Sequence, residues 1–281
     1  MTNDWATWSL LGMSPLALAL RLREAFSAGA PAWEVLEEAQ RYGLHPLSIA
    51  VAKPTLEAGR DRKYHRAWKA WDRAANRRVG ARLGLGPEWL SVIQGNGLDF
   101  RDPRVEQLPE GLAAPVLSLK RLCKLKELPS QLAATWLHVE QCHGLSRIRA
   151  TQGLLILDVF DCRSLEELPS GLELDTLRLS ACPNLRRVPP INAGSLNLRN
   201  CPVETLPEDM GLSAFSLRNL PLLEEIPNDM VSVLQRARRV ENCPRLLTRV
   251  EQIKKVVRPL PQPSLTTMGH ALQRAGLAGG P

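Results

Sequence analysis

The chain has 281 residues and a formal net charge of +7, with 44% hydrophobic and 23% charged residues. This length predicts one or two domains, and the composition is typical of a globular protein. No apolar run approaches the ~18 residues that span a membrane, and no basic leader precedes the apolar stretch 16–22. We therefore expect neither a membrane span nor a secretory signal peptide.

Charge and tryptophan divide the chain into parts of different construction. Residues 98–234 carry more acidic than basic side chains, whereas residues 1–97 and 235–281 are both basic. Six of the seven tryptophans come before residue 97. Arginine far exceeds lysine and alanine is abundant, which is a hint of a bacterial source. We predict three parts, 1–97, 98–250 and 251–281.

Residues 1–97 predict a helical N-terminal domain. Ala, Leu, Glu and Arg dominate it, and prolines recur at helix-length intervals. Ser14 and Pro15 predict the start of a helix that ends near Ser27, and a second helix is predicted from Ala32 to Tyr42. Gly95-Asn96-Gly97 predicts the joint to the next part. We expect these helices to cap the exposed end of the part that follows.

A third predicted helix, from Asp61 to about Leu83, has two opposed stripes. One stripe is mainly aromatic and predicts packing against the other helices. It comprises Tyr64, Trp68, Trp71, Ala75 and Val79. The opposite stripe is basic and could bind an anion, although a solvated helix face explains it as well. It comprises Arg62, Arg66, Lys69, Arg73 and Arg77.

Residues 98–250 repeat the pattern Leu-x-Leu-x-x-Cys-x-x-Leu-x-x-Leu-Pro every 19 or 20 residues, with 23 residues before the last copy. Clear copies begin at Leu117, Leu137, Leu157, Leu177, Leu196 and Phe215. Atypical copies near Leu98 and Arg238 bring the prediction to about eight rungs, because end rungs of an array usually depart from the pattern. The Leu-x-Leu core predicts a short strand, and the return after it is too short for a full helix.

This pattern resembles the leucine-rich repeat, whose consensus is Leu-x-x-Leu-x-Leu-x-x-Asn/Cys. The Cys-x-x-Leu-x-x-Leu-Pro continuation resembles the repeats of plant nucleotide-binding immune receptors, and the short period resembles bacterial leucine-rich-repeat proteins, including secreted effectors. The resemblance implies an α+β solenoid, with a short-stranded parallel sheet on the concave face of a curved array. It implies fold more strongly than function.

The cysteines follow the repeat. Cys142, Cys162, Cys182 and Cys201 occupy one position in successive rungs, where a metal ladder is conceivable. Leucine fills the same position in other rungs, which favours a packing role. We therefore expect no metal, no cofactor and a reducing, cytoplasmic setting. Cys123 lies one residue away from that position and is predicted to be exposed.

The residues between the leucines predict a partner-binding surface on the concave face. Phe160 is flanked by charged side chains, an arrangement typical of a protein-binding anchor, although any solenoid must also solvate this face. The predicted partner-binding residues are His138, Glu140, Asp158, Phe160, Asp161, Arg178, Arg199 and Arg218. His138 with Asp158 could instead suggest catalysis, but no serine or cysteine nucleophile is predicted beside them.

Residues 251–281 are basic at first and rich in Pro and Gly at the end, which predicts a partly disordered tail. Together these patterns predict a non-enzymatic scaffold that binds a protein partner. A bacterial effector exported into a host cell is one version of this hypothesis. The alternative is nucleic-acid or anionic-surface binding through the basic helix 60–82 and the basic C-terminal region.

Overall fold

The computed structural model describes residues 13–52, 65–95, 97–149, 151–227, 230 and 239–246, and of residues 65–72 and 239 it describes the backbone alone. Within these ranges, helices come first and a single β-sheet follows. The predicted tail 251–281, and the predicted helical residues 61–64, lie outside the described residues.

In the described residues five helices precede the array, and their ends follow local sequence signals. They are α1 (Pro15–Ser27), α2 (Ala32–Arg41), α3 (Pro46–Val51), α4 (His65–Arg82) and α5 (Pro87–Val92). Ser14 caps α1, because its side chain accepts a hydrogen bond from the amide of Ala17 at 3.2 Å. The predicted helices near 15–27, 32–42 and 61–83 are confirmed within the described residues. The short helices α3 and α5 were not predicted.

The described residues form one nine-stranded sheet in which strand order follows chain order. The strands are β1 (Ile93–Gln94), β2 (Gly97–Phe100), β3 (Leu112–Lys120), β4 (Leu132–Glu140), β5 (Ile156–Phe160), β6 (Glu173–Ser180), β7 (Asn192–Arg199), β8 (Ala214–Arg218) and β9 (Arg239–Glu241). β1 pairs antiparallel with β2, and all later pairs are parallel. The parallel strands β2 to β9 build a solenoid of about seven turns.

The leucines of the repeat form the interior of the solenoid. In every pair of parallel strands from β2 to β8 the first leucine, or Phe215, pairs in register with its counterpart in the next rung. These side chains are at most 1% exposed and share one core with the leucines of the returns, such as Leu125, Leu145 and Leu165. A single rung could not bury this face, so stacking is what removes the leucines from water.

Strands β3 and β4 are longer than the predicted Leu-x-Leu unit. Their hydrogen-bonded ladder has a break, and the residues that face the leucine core change from even to odd positions across it in β3. Leu112 and Ala114 pack in the leucine core, and so do Leu117 and Leu119, which have the opposite parity. The ladder has no pair at Pro115, which lacks an amide hydrogen. Because of this break, Ala113 and its neighbour Ala133 pack in a second core with the helices.

The helices are fixed to the first rungs by contacts that each occur once. The amide of His45 donates to the carbonyl of Gly111 at 2.9 Å. The hydroxyl of Ser48 donates to that same carbonyl at 3.3 Å and accepts from the amide of Ala113 at 2.8 Å. A β carbon on Gly111 would collide with the carbonyl oxygen of Gly43. This junction therefore depends on a bare backbone at residue 111.

A second polar junction lies between helices and the turn of the first hairpin. The guanidinium of Arg23 donates to the side-chain oxygen of Asn76 at 2.9 Å and to the carbonyls of Ile49 and Ala50. The amide of Asn76, which is 1% exposed, donates to the carbonyl of Gly95. The predicted joint near Gly95 is thus the turn between β1 and β2, and β1 covers the edge of β2. A capping role for the helices themselves stays a prediction.

Every strand from β3 to β9 is followed by a residue in the left-handed helical region. The seven residues that directly follow these strands have φ between 50° and 59°. They are Arg121, Gln141, Asp161, Ala181, Asn200, Asn219 and Asn242. Asparagine and aspartate adopt this conformation most readily among these residue types, so Asp161 and the last three positions suit the turn best.

Candidate functional site

The face of the sheet opposite the leucine core carries regular columns of side chains, which we call the sheet face. One column lies between the two leucines of each rung, and the register confirms its predicted order. It contains Asp99, Ser118, His138, Asp158, Arg178, Asn197, Ser216 and Arg239. A second column follows the second leucine. It contains Lys120, Glu140, Phe160, Ser180, Arg199, Arg218 and Glu241.

A third column, one residue before the first leucine, was missed by the sequence analysis. It is apolar in the first rungs and small or polar in the later ones. In order it contains Val116, Trp136, Ile156, Thr176, Ser195 and Ala214, all of them partly exposed. Alternation along the strand places these residues on the sheet face, but the repeat pattern begins only at the leucine that follows them. The apolar part adjoins His138 and Phe160.

Asp158 is held inside a closed set of donors. Its side chain is 4% exposed, and its carboxylate accepts from the indole nitrogen of Trp136 at 2.9 Å and from the guanidinium of Arg178 at 3.0 and 3.1 Å. A buried carboxylate needs such partners, because leaving its charge unpaired costs several kcal/mol. Asp158 therefore positions Trp136 and Arg178, and it presents little surface of its own to a partner.

His138 and Phe160 form a ring pair on the sheet face. Their ring centroids are 5.5 Å apart at a tilt of 43°, and Phe160 is only partly buried. The Nε2 atom of His138 lies 3.3 Å from Glu140, whose carboxylate also binds Lys120 at 2.9 Å. Hydrogen bonds from Lys120 and His138 hold the pKa of Glu140 below its usual value. His138 thus contacts Glu140 and Phe160, and Asp158 has other partners.

The basic end of the sheet face lies beyond Phe160. Arg199 is exposed, and among the described residues nothing forms an ion pair or a hydrogen bond with its side chain. Arg178 contacts Asp158 through one nitrogen only, and its side chain is 37% exposed. The Nε atom of Arg218 lies 3.6 Å from the Oε2 atom of Glu241, too far for a hydrogen bond. Arg199 is therefore the most available of these three cations.

Turn residues line the edge of the sheet face and bind one another. The side chain of Gln141 donates to Asp161 at 3.2 Å and accepts from Arg121 at 3.3 Å. In the later rungs three asparagine amides form a ladder, in which Asn219 donates to Asn200 at 2.6 Å and Asn242 donates to Asn219 at 2.9 Å. The predicted binding residue Asp161 therefore belongs to a turn ladder at this edge.

The buried cysteines form hydrogen bonds that recur from rung to rung. Each thiol donates to the carbonyl two residues earlier, at 3.2 to 3.6 Å, for Cys142, Cys162, Cys182, Cys201 and Cys243. Burial raises the pKa of the Cys142 thiol to about 11 and that of Cys162 to about 12. All six cysteines are free, and Cys123 is the exposed one, as predicted.

The basic stripe of α4 is only partly within the described residues. Arg62 lies outside them, and the side chains of Arg66 and Lys69 are not described. Arg73 is exposed, whereas Arg77 is half-buried and donates to the carbonyl of Ser91 at 3.4 Å. On the opposite side Val79 packs in the helical core, with Asn76 as a buried polar residue that the stripe did not predict. Anion binding here stays a prediction.

Comparison with known proteins gives one similarity. The Disease resistance protein RPP4 of Arabidopsis thaliana is 32% identical over 148 residues, which cover 47% of this chain and 12% of the relative. The chain therefore spans only a small part of that protein. No family model matches the chain, and no solved structure matches it significantly. The solenoid of parallel strands and this similarity fit a leucine-rich-repeat protein.

None of the helices in the described residues is both long enough and apolar enough to cross a membrane. Except for the turn residue Asp161, the predicted partner-binding residues lie on the sheet face of five successive strands, from His138 on β4 to Arg218 on β8. Their binding of a partner stays a prediction.

Proposed function

We propose that the chain is a non-enzymatic scaffold that binds a protein partner on the sheet face. One observation supports this proposal above the others. The partly exposed ring pair of His138 and Phe160 lies two rungs from Arg199, a cation without a described partner. Aromatic and arginine side chains are the residues that most often dominate the free energy of protein binding.

The hydrogen bonds of the sheet face support binding over catalysis. Proton transfer to a nucleophile would require a base oriented by a third group and placed within reach of that nucleophile. Asp158 instead binds Trp136 and Arg178, and His138 contacts Glu140 and Phe160. Ser118 does lie beside His138 in the column, contrary to the expectation that no serine would, but its buried hydroxyl forms no hydrogen bond with that ring. The contacts of Asp158 and His138 each hold a side chain in place on the surface, which is what a preformed binding face needs.

The helical region has a structural part in this proposal. Helices α1 and α3 pack on β3 and β4, and β1 covers the edge of β2. We assign to this region the capping of the array, which keeps the first rungs and their sheet face in one arrangement. The Cys-x-x-Leu-x-x-Leu-Pro continuation of the repeats is in line with the similarity to a plant disease resistance protein.

A reducing compartment suits the proposed scaffold. Its six cysteines are free thiols, and Cys123 is exposed, so an oxidising compartment would favour cross-linking between copies. We therefore place its action inside a cell, either the cell that makes the protein or, if the chain is an exported effector, a host cell.

The test is affinity capture with the full chain as bait, followed by quantitative mass spectrometry of the bound proteins. The bait variant combines Phe160→Ala with Arg199→Glu, which removes the ring and reverses the free charge. We expect this variant to lose the specific partner at least tenfold relative to wild type, because each change removes a contact worth about 1.4 kcal/mol or more.

The control bait combines Trp33→Ala with Arg186→Glu. Trp33 is an exposed aromatic residue on α2, and Arg186 is an exposed arginine in a return between strands. This bait matches the first in chemistry and leaves the sheet face intact. If both baits capture the same proteins as wild type, in the same amounts, binding on the sheet face is wrong.

A further inference from the structure

The second column sets the distance between an aromatic side chain, Phe160, and a cation, Arg199. Phe160, Ser180 and Arg199 pair in register on β5, β6 and β7. Neighbouring strands lie ~4.8 Å apart, so Phe160 and Arg199 are ~9.6 Å apart along the sheet. The residue between them has a small side chain. A ligand that contacts both must therefore span about 9.6 Å above a low point.

The rungs around Arg199 carry small side chains in the other columns as well. The third column has Thr176, Ser195 and Ala214 on β6 to β8, where the earlier strands have Val116, Trp136 and Ile156. The sheet face is thus bulky and apolar on β3 to β5. On β6 to β8, which we call the low part, most side chains are small and the arginines are the long ones. A chain segment that crosses the strands can approach the sheet closely there.

Charge favours an acidic ligand at the low part. Arg199 is exposed and has no described ion-pair partner, and Arg178 leaves most of its guanidinium donors unused by Asp158. A carboxylate above Arg199 would receive charge-assisted hydrogen bonds from it, the strongest kind, and Arg178 on the adjacent strand adds a second positive charge beside it. The apolar part beside it, with Phe160 and Ile156, suits a hydrophobic side chain of the same ligand.

The distance selects the conformation of that ligand. In an extended strand, side chains on one face recur at ~6.8 and ~13.6 Å, and neither value matches 9.6 Å. In a polyproline II helix, side chains three positions apart face the same way and are ~9.3 Å apart. Two strand spacings of the sheet and one turn of polyproline II therefore agree within half an ångström.

We propose that the sheet face takes an acidic polyproline II segment of the partner, with an apolar side chain on Phe160 and, three positions away, a carboxylate on Arg199 beside Arg178. This inference rests on the proposed function and adds the chemistry of the partner. A nucleic acid fits the same arginines less well, because Asp158, Glu140 and Asp161 lie on or beside this face and would repel a row of phosphates.

The test measures binding of fluorescein-labelled peptides to the full chain by fluorescence anisotropy. The probe contains Phe-Pro-Pro-Glu within flanking prolines and alanines. Matched controls are Phe-Pro-Glu and Phe-Pro-Pro-Pro-Glu, which change the spacing, and Phe-Pro-Pro-Lys, which reverses the charge. A single-stranded oligonucleotide is the polyanion probe. We expect the three-position peptide to bind at least tenfold more tightly than every control.

Variants of the chain assign the two contacts. Arg199→Ala should weaken the Phe-Pro-Pro-Glu probe by about 10- to 100-fold, the loss of a charge-assisted hydrogen bond. Phe160→Ala should weaken it as well, but should leave a tenfold preference of Glu over Lys. Arg186→Ala is the control and should leave the affinity unchanged, because Arg186 lies in a return and pairs with Glu204. Thermal unfolding verifies that each variant is folded.

The outcomes separate this inference from the function on which it rests. Equal binding of all peptide spacings, or tighter binding of the oligonucleotide, would overturn the polyproline II segment. If no peptide binds while partner capture still requires Phe160 and Arg199, the inference is wrong and the proposed function stands. If capture ignores both residues, the two fail together. Spacing-dependent binding that requires Arg199 supports both.

Discussion

Contacts in the repeat array recur from rung to rung, whereas the contacts that join the helices to it occur once. In the array the leucine, cysteine and turn positions each repeat on neighbouring strands, so a change at one rung leaves equivalent contacts on either side. At the junction, the contacts that Ser48, Asn76 and Gly111 make with their partners have no equivalent elsewhere in the described residues. Stability is therefore shared in one region and concentrated in the other.

This difference implies that similar substitutions have unequal effects in the two regions. Array stability is close to a sum over rungs and their interfaces. Junction stability depends on a few buried polar groups, whose loss leaves donors or acceptors unpaired. Four measurements test this comparison, beginning with the largest expected effect.

Gly111→Ala should lower the free energy of unfolding by about 3 to 4 kcal/mol, because the new methyl group would collide with the carbonyl of Gly43 and the residue has φ +75°. Gly171→Ala is the matched control. It occupies the equivalent position of a later rung with φ +71° and open space around it, so about 1 kcal/mol is expected. Denaturant titration measures both, and equal losses would contradict the comparison.

Alkaline pH should destabilise the array through its buried thiols. Their folded pKa values, about 11 for Cys142 and 12 for Cys162, lie above the unfolded value near 9. Folding therefore favours the protonated thiols, and their contribution is complete below pH 9 and is lost as pH rises towards 12. At pH 10 these two cysteines should together reduce the unfolding free energy by about 3 kcal/mol.

The measurement for the thiols is a pH series of unfolding free energies for wild type and for the variant Cys142→Ala with Cys162→Ala. The variant should be less stable at pH 7 and should decline less steeply between pH 9 and 11. Parallel declines in the two proteins would assign the alkaline loss to other groups.

Mild acid should instead destabilise the junction between the helices and the array. Burial lowers the pKa of His45 to about 4, and its neutral Nδ1 atom accepts from the amide of Leu47 at 3.2 Å to cap α3. The contribution is complete above the unfolded pKa of 6.5 and is lost as pH falls towards 4. At pH 5 the loss should be about 2 kcal/mol, detected as faster hydrogen exchange in α1 and α3 than in β6 to β8.

The control for this acid effect is His45→Asn, which keeps a capping acceptor but does not titrate. Its exchange rates in α1 and α3 should stay constant from pH 7 to 5 after correction for intrinsic exchange. An unchanged acid response in this variant would place the titrating group elsewhere.

The smallest effect is expected at the turn positions of the array. Ala181 has φ 56° and directly precedes the asparagine ladder of the later rungs. Ala181→Asn should relieve the strained backbone and extend the ladder to Asn200, which raises the unfolding free energy by about 1 kcal/mol. Ala181→Gly relieves the backbone alone and should gain less. If glycine raises the unfolding free energy as much as asparagine or more, the asparagine ladder does not contribute to stability.

Repetition determined which features could be predicted from the sequence. The register of the leucines, the buried cysteines and the sheet-face columns of His138 and Phe160 followed from a pattern written many times. The break at Pro115 did not, because it lies before the Leu-x-Leu pattern begins, and the packing of Ala113 and Ala133 depends on helices from a distant part of the chain. The hairpin of β1 and β2 was likewise hidden, since Ile93 and Gln94 alone carry no strand pattern.

The candidate site shows the same limit. The sequence placed Asp158 and Arg178 in one column, and the structure shows that they pair. It could not show that Trp136 completes the set from another column, because that hydrogen bond depends on the side-chain geometry of two strands. Burial of Asp158 therefore separates it from Arg199, although both were predicted as charged residues of one exposed surface.

Because the parallel strands share one register, the distance between side chains of different rungs in one column can take only multiples of the strand spacing. Substitution changes the chemistry at a given point of the sheet face but cannot move that point. Insertion or loss of a whole repeat moves every later side chain by ~4.8 Å relative to the earlier ones. New specificity can therefore arise along two independent routes: residue by residue at fixed distances, or in whole steps that redraw the distances while the chemistry stays the same.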